Sequence, residues 1–167
     1  MIKFDTSIVC AQNISPVSVG ECMVSKKLKL ENQICHSLYS ATNALVRAYR
    51  PLLDQIELTY PQYLVMLALW QEDGVMIKNL VQRTRFDAGT LTPILKRLQE
   101  KQLLALVKSS EDSRQKDVRL TQQGRDLSDT AEAIPDALAC QIDLSVEEAV
   151  LLKQLSEKLY KTITEGQ

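Results

Sequence analysis

Apolar residues between about Lys27 and Tyr49 recur at helical spacing. Ile34, Leu38, Ala41, Leu45 and Tyr49 form one stripe, and Cys35, Tyr39, Thr42, Val46 and Tyr49 form a second beside it. Two adjoining stripes make a face wide enough to meet more than one neighbour. Pro51 is expected to end or kink this helix, because the residue before a proline avoids the αR region. Thr59-Tyr-Pro-Gln62 has the pattern of a capping box, with Pro61 in a first turn that needs no N–H donor there. It launches an apolar run from Tyr63 to Trp70, which Gly74 is placed to stop. A short helix over 77–84 follows. Asp87 then caps a helix over 88–101, with Leu91, Ile94, Leu95 and Leu98 inward and Lys96, Arg97 and Lys101 outward.

Residues 103–107 predict a short strand, the polar run 108–116 a loop, and 117–120 a second strand, so that together they form a β-hairpin. Thr121-Gln-Gln-Gly124 opens a helix running toward Ala139, with Pro135 bending it or marking a new start. Ser145-Val-Glu-Glu148 is a second capping box, heading a final amphipathic helix to about Ile163. The order is four helices, a hairpin and two helices. That is a mainly α fold with a small β-hairpin, in the order of a winged helix-turn-helix.

Composition agrees with this. The chain has 167 residues, 45% hydrophobic and 25% charged, which suits a single compact domain, and its scarcity of aromatics (5%) disfavours a β-sandwich. No apolar stretch reaches the roughly 20 residues that span a bilayer, so no membrane association is expected. Residues 1–25 lack a basic start joined to an apolar core, and are expected to be a flexible arm with Met23 as an alternative start. Residues 26–167 then make one domain. The four cysteines, Cys10, Cys22, Cys35 and Cys140, are scattered, and His36 is the only histidine. No metal site or cofactor is expected from such spacing. A cytoplasmic setting is expected, where disulfides are transient and sensing is a common reason for them.

Net charge is −1, which does not advertise a nucleic-acid binder, but its distribution changes the picture. From Arg83 to Arg119 there are nine Lys/Arg against five Asp/Glu, a local +4, whereas from Asp126 onward there are nine acids against three bases. One basic module between acidic flanks suits a protein that touches phosphates with that module only. In a winged helix-turn-helix the second helix of the pair enters the major groove. Its first turns here read Ala88-Gly89-Thr90-Leu91-Thr92-Pro93. Small residues allow close approach, and the hydroxyls of Thr90 and Thr92 can bond bases or phosphates. Arg85, Lys96 and Arg97 are placed for phosphates. On the hairpin, Arg114, flanked by Asp112 and Lys116, is shaped to enter a narrow minor groove. Any one helix with outward Lys and Arg is more often a solvated face; the charged hairpin in the right order moves the balance toward DNA.

Several motifs resemble a known family. Asp112-Ser-Arg114-Gln-Lys-Asp-Val-Arg-Leu120-Thr121-Gln-Gln-Gly124 resembles the wing signature of the MarR regulators. Asp87-Ala-Gly-Thr-Leu-Thr-Pro-Ile-Leu-Lys-Arg-Leu-Gln resembles the recognition helix of their organic-hydroperoxide-sensing branch, OhrR. Leu30-Glu-Asn-Gln-Ile-Cys35-His-Ser-Leu-Tyr39-Ser-Ala resembles that branch's sensor segment. The match runs from about Leu28 to Gln141. The resemblance implies a homodimer built by helices over about 26–56 and 122–165, with a winged helix-turn-helix over about 59–121 that binds double-stranded operator DNA. It implies a repressor, not an enzyme, with an organic hydroperoxide as effector. Cys35 would be the peroxidatic thiol, Tyr39, Tyr49 and Tyr60 its hydrogen-bond donors, and Cys140 the resolving thiol of the partner subunit.

By spacing alone, Cys35 reads more readily as an ordinary packed thiol than as a sensor, and Tyr39 and Tyr49 more readily as packing residues than as donors; Trp70 reads as core, and Cys10 and Cys22 as incidental thiols. The sensor reading needs a stabilised thiolate, which a helix N-terminus and neutral phenol donors can supply. Rival readings remain: a related regulator that senses another oxidant or an apolar small ligand, a thiol peroxidase turning over Cys35 and Cys140, or a helical adaptor. The wing reading gives a direct test: Arg114→Ala should weaken operator binding in a gel shift and leave the oligomeric state in size-exclusion chromatography unchanged.

Overall fold

The computed structural model describes residues 25–108 and 116–166. The chain divides between Tyr39 and Ser40 into two compact units. In the first, two single 3₁₀ turns, Lys26–Leu28 and Leu30–Asn32, precede helix α1, Ile34–Asp54. The helix therefore starts later than the apolar stripe predicts. Side-chain amides explain the delay: Asn32 Nδ2 donates to Lys26 O at 2.9 Å, and Gln33 Nε2 donates to Lys27 O at 2.6 Å. These bonds offer the backbone a partner other than the helical ladder.

In the second unit α1 continues through Pro51 to Asp54 instead of stopping. Leu53, 1% exposed, anchors the last turn in the core. Beyond it Leu58 N–H donates to Leu53 O and Glu57 N–H to Asp54 O, with Glu57 in the left-handed region at φ 53°. This is a Schellman cap with Leu53 and Leu58 as its apolar pair. A proline forfeits one ladder bond, and the buried leucines outweigh that loss.

Helix α2, Tyr60–Gln71, is apolar nearly all round and buries Tyr63, Val65, Met66, Ala68 and Leu69. A helix of that kind sits inside a fold, not on it. It contacts α3 (Ile77–Thr84), α4 (Ala88–Glu100) and α5 (Gln122–Ala131). Gln62 Oε1 accepts from Thr59 N–H at 3.0 Å, as the capping pattern predicts. Gly74 does not cap α2. It lies at φ 73° in the turn beyond Asp73 that leads to a strand the sequence pattern missed, β1, Val75–Met76. Two residues are too short for any alternation to register.

The hairpin strands are β2, Leu104–Lys108, and β3, Lys116–Leu120, paired antiparallel with Leu104 opposite Leu120 and Leu106 opposite Val118. β1 adds on the other side of β3, with Val75 opposite Val118, so the sheet order is β1-β3-β2. Pro135 marks a new start: α5 ends at Ala131, and a short α6, Ile134–Ala139, follows. Helix α7, Val146–Thr164, opens on the expected capping box, with Ser145 N–H donating to Glu148 Oε2 and Glu148 N–H to Ser145 Oγ. No helix among the described residues is long and apolar enough to cross a membrane.

The wing is locked to the helices at one joint. A Cβ on Gly124 would lie 1.9 Å from the carbonyl oxygen of Leu103, so only glycine lets α5 start there. Thr121 caps α5 through Gly124 N–H and donates its hydroxyl proton to Gln102 O at 2.6 Å. Trp70 Nε1–H reaches Gly124 O at 2.8 Å, so this half-buried indole is a strut as well as a packing surface. Asp73 completes the joint: Oδ1 accepts from Leu120 N–H at 2.7 Å and Oδ2 from Arg125 at 2.9 Å. Gln102, at φ 59°, closes α4 with the same six-to-one bond pattern, Leu103 N–H to Leu98 O.

Two variants should therefore move stability in opposite directions. Gly124→Ala should cost about 1–3 kcal/mol or more through overpacking against the Leu103 backbone. Gln102→Gly should gain up to about 1 kcal/mol by relieving a left-handed non-glycine residue. Urea-unfolding midpoints check both.

Candidate functional site

The second helix of the helix-turn-helix is built as the sequence predicts. Asp87 Oδ1 accepts from Thr90 N–H at 2.7 Å and Oδ2 accepts from the Thr90 hydroxyl at 2.7 Å, so the cap and the first turn are fastened together. The Thr90 hydroxyl and N–H hold the Asp87 carboxyl below its usual range. Leu91, Leu95 and Leu98 are buried and fix the helix from behind. Gly89, Thr90, Thr92, Pro93, Lys96 and Arg97 are all exposed on its outer side. Thr92 Oγ1 donates back to Ala88 O at 2.8 Å. Both hydroxyl protons are thus used within the helix, which leaves the two oxygens facing outward as acceptors. A groove of about 280 Å³ runs between the start of α2 and this helix, lined by Thr59, Pro61, Gln62, Thr90, Pro93 and Arg97 among others.

The basic residues divide. Lys96 makes a long 3.9 Å pair with Glu100, of a kind that contributes little at an exposed site. Lys116 is exposed at the first position of β3. Asp112 and Arg114 lie outside the described residues. Arg85, expected to meet a phosphate, is exposed but already engaged within the chain. It ends α3 in the left-handed region at φ 58°, and its guanidinium donates to Glu157 at 3.1 and 2.6 Å while lying 3.9 Å over the Tyr160 ring. Helical periodicity could not reveal a partner 72 residues away. Arg83, to which the sequence assigns no role, ties α3 to the end of α2 through Glu72 at 2.7 Å and Ala68 O at 3.1 Å.

The sensor candidates are placed as follows. Cys35 lies in the first turn of α1 and Cys140 caps the C-terminal end of α6; both are exposed free thiols. Tyr39 is exposed. Tyr49 and Tyr60 are brought together, with ring centroids 4.9 Å apart, and Tyr63 joins them at 5.9 Å from Tyr49. Tyr63 was legible only as an apolar position. Burial pushes the Tyr49 and Tyr60 phenols above their usual range, with Tyr60 adding to the shift at Tyr49. Both therefore stay protonated at neutral pH and available as donors.

With this geometry, kinship becomes informative. A model of the SarA/Rot transcriptional regulators matches residues 47–131. The organic hydroperoxide resistance transcriptional regulator of Bacillus subtilis (strain 168) is 39% identical over 133 residues, 80% of this chain and 88% of the relative. This chain belongs to the organic-hydroperoxide-resistance branch of the MarR family. Among solved structures, reduced AbfR bound to DNA is 29% identical, with a TM-score of 0.71 over 86% of this chain and 98% of that one. AbfR of Staphylococcus epidermidis is also known in a disulfide-formed state, which superposes less well, with a TM-score of 0.56 over 83% of this chain and 92% of that one. As a MarR-family winged helix the chain is a DNA-binding transcriptional regulator and not an enzyme.

The Asp87 cap yields a pH-dependent prediction. Its carboxyl is depressed in the folded state, so its contribution is present above the unfolded value near 4 and is lost as pH falls through the lower folded value. Asp87→Ala should lower the thermal midpoint at pH 7, and the gap from wild type should narrow as pH drops below about 4.

Proposed function

We propose that this MarR-family regulator is a redox-switched repressor. It binds operator DNA as a homodimer while Cys35 is reduced, and lets go when an organic hydroperoxide oxidises Cys35 and Cys140 of the partner subunit resolves the product. The observation that carries the reading is that both thiols stand exposed at helix ends in a chain whose conformation is closer to reduced, DNA-bound AbfR than to disulfide-formed AbfR.

The apolar surface left open by one chain supports a second copy. Val146, Leu151, Leu155 and Ile163 on α7 are each more than half exposed, as are Leu28, Leu30, Ile34 and Tyr39 near the start of α1. These are the segments expected to dimerise; full burial of an exposed apolar side chain contributes roughly 1.5–3 kcal/mol, and burial from half exposure proportionately less. Two lobes then present two copies of α4 at half-sites about one turn of DNA apart. Gly89, Thr90, Thr92 and Pro93 meet base edges, Lys96, Arg97 and Lys116 meet phosphates, and Arg114 beside Asp112 enters the minor groove.

The chemistry balances in two steps. The Cys35 thiolate attacks the peroxide O–O bond; an S–O bond forms, the O–O bond breaks, and the alkoxide leaves as an alcohol after taking a proton. Cys35 is then a sulfenic acid. The Cys140 thiolate attacks that sulfur, an S–S bond forms and the S–O bond breaks, with hydroxide leaving as water. Tyr39, Tyr49 and Tyr60 serve as neutral donors that stabilise the thiolate, and Ile34 and Leu38 favour apolar peroxides. A disulfide needs Cα atoms roughly 4.4–6.8 Å apart, so it draws the start of α1 toward the end of the partner's α6. Moving a population from nearly all binding-competent to nearly all incompetent takes about 5.5 kcal/mol, and a lobe rotation that breaks half-site register needs no unfolding.

Gel shifts with cumene hydroperoxide and then dithiothreitol test this. Cys35→Ser should bind DNA and ignore peroxide; release of that variant by peroxide would sink the sensor role. Cys140→Ser should respond but form no covalent dimer. Oxidised wild type should run as a dimer on a non-reducing gel, and a monomer there would remove the Cys35–Cys140 link.

A further inference from the structure

Arg85 is the C-cap of α3, and only Phe86 separates it from the Asp87 cap of α4. Its side chain uses two modes of recognition at once. Its edge takes Glu157 as a two-pronged pair at 3.1 and 2.6 Å, and its flat face lies 3.9 Å over Tyr160. Glu157 and Tyr160 are three residues apart on α7 and so share one helical face. Isolated surface ion pairs contribute little, but a bidentate fork with its face on a ring fixes both the distance and the plane of the guanidinium. The Arg85 hydrogen bond also holds the Glu157 carboxyl below its usual range, so the pair stays charged at neutral pH. The backbone at Arg85 is itself in the sparse left-handed region, where surrounding contacts have to hold it.

We propose that Glu157 and Tyr160 are positioning residues for DNA binding: by gripping Arg85, α7 sets where the turn before α4 sits, and hence where the first turn of α4 meets the groove. Arg85 then acts as a strut and not as a phosphate contact. The inference rests on α4 being the helix that touches DNA, as proposed above, and it links a helix of the dimerising region directly to the DNA-facing turn.

The probe is a duplex selected by the wild-type protein from a random pool, with affinity measured across a salt series. Failure of the wild type to select any duplex would sink the DNA reading itself, and is seen before any variant is made. Glu157→Ala, Tyr160→Leu and Arg85→Ala should each lower affinity roughly tenfold, and the Arg85→Ala/Glu157→Ala double variant should be no weaker than either single one. The slope of log affinity against log salt should not change, and Arg85→Lys should behave like Arg85→Ala, because an ammonium has neither the fork nor the flat face. Oligomeric state, measured on the same samples, should stay at the wild-type value, and thermal midpoints should fall only by the small amount that loss of an exposed ion pair produces. The proposal is overturned if Arg85→Ala reduces the salt slope by about one phosphate contact while Arg85→Lys retains binding. It is equally overturned if Glu157→Ala binds as well as wild type or better, or if the two losses add.

Discussion

A single close approach organises the winged helix-turn-helix. The carbonyl of Leu103 occupies the space that a Cβ at residue 124 would need. That contact lets the first turn of α5 sit directly on the strand leaving α4. The Thr121 hydroxyl, the Trp70 indole and the Asp73 carboxylate all converge on this joint. Through them the end of α2, the base of the wing and the start of α5 are joined by direct hydrogen bonds. Rigidity of this kind is what groove reading requires, since the helix and the wing contact different grooves and only a fixed angle between them places both.

The same economy is visible at the helix ends. Glu57, Arg85 and Gln102 all take left-handed backbone without being glycine. Glu57 and Gln102 each sit in a cap closed by buried leucines, Leu53 with Leu58 and Leu98 with Leu103. Arg85 has no such apolar clasp and is held by its side chain's reach to α7. The turn between α3 and α4 is thus the place where the helix-turn-helix is tied to a distant element. The release of DNA proposed above needs some such connection, because a chemical event in one region has to change a geometry in another.

Much of this was legible in the sequence. Asp87 with Thr90, Thr59 with Gln62 and Ser145 with Glu148 are contacts between residues three apart, and local spacing is sufficient to predict them. The inner face of α4 and the outward Gly89, Thr90, Thr92, Pro93, Lys96 and Arg97 follow from a 3.6-residue period. The misses share a cause as well. β1 is only two residues long and owes its existence to pairing with Val118, more than forty positions away. The passage of α1 through Pro51 depends on Leu53 finding a core, which the run of residues around the proline does not encode. The two stripes on α1 predict a wide apolar face and the pattern of α7 an amphipathic one, and in one chain much of both stays uncovered.

What the sequence determined by itself is the set of local elements, their caps and the chemical identity of the groups on offer: a thiol at the head of a helix, small residues and hydroxyls on a second helix, a charged hairpin. What only the tertiary structure decided is which of these groups are already engaged. Arg85 is as basic in the sequence as Arg97, yet it is paired across 72 residues with Glu157, and Trp70 is as apolar in a periodicity plot as Leu69, yet its N–H holds the first turn of α5. Periodicity reports the direction in which a side chain leaves its own element. The partner it finds is set by how elements distant in the chain are brought together, and that is fixed by close packing around Gly124 and the buried face of α2.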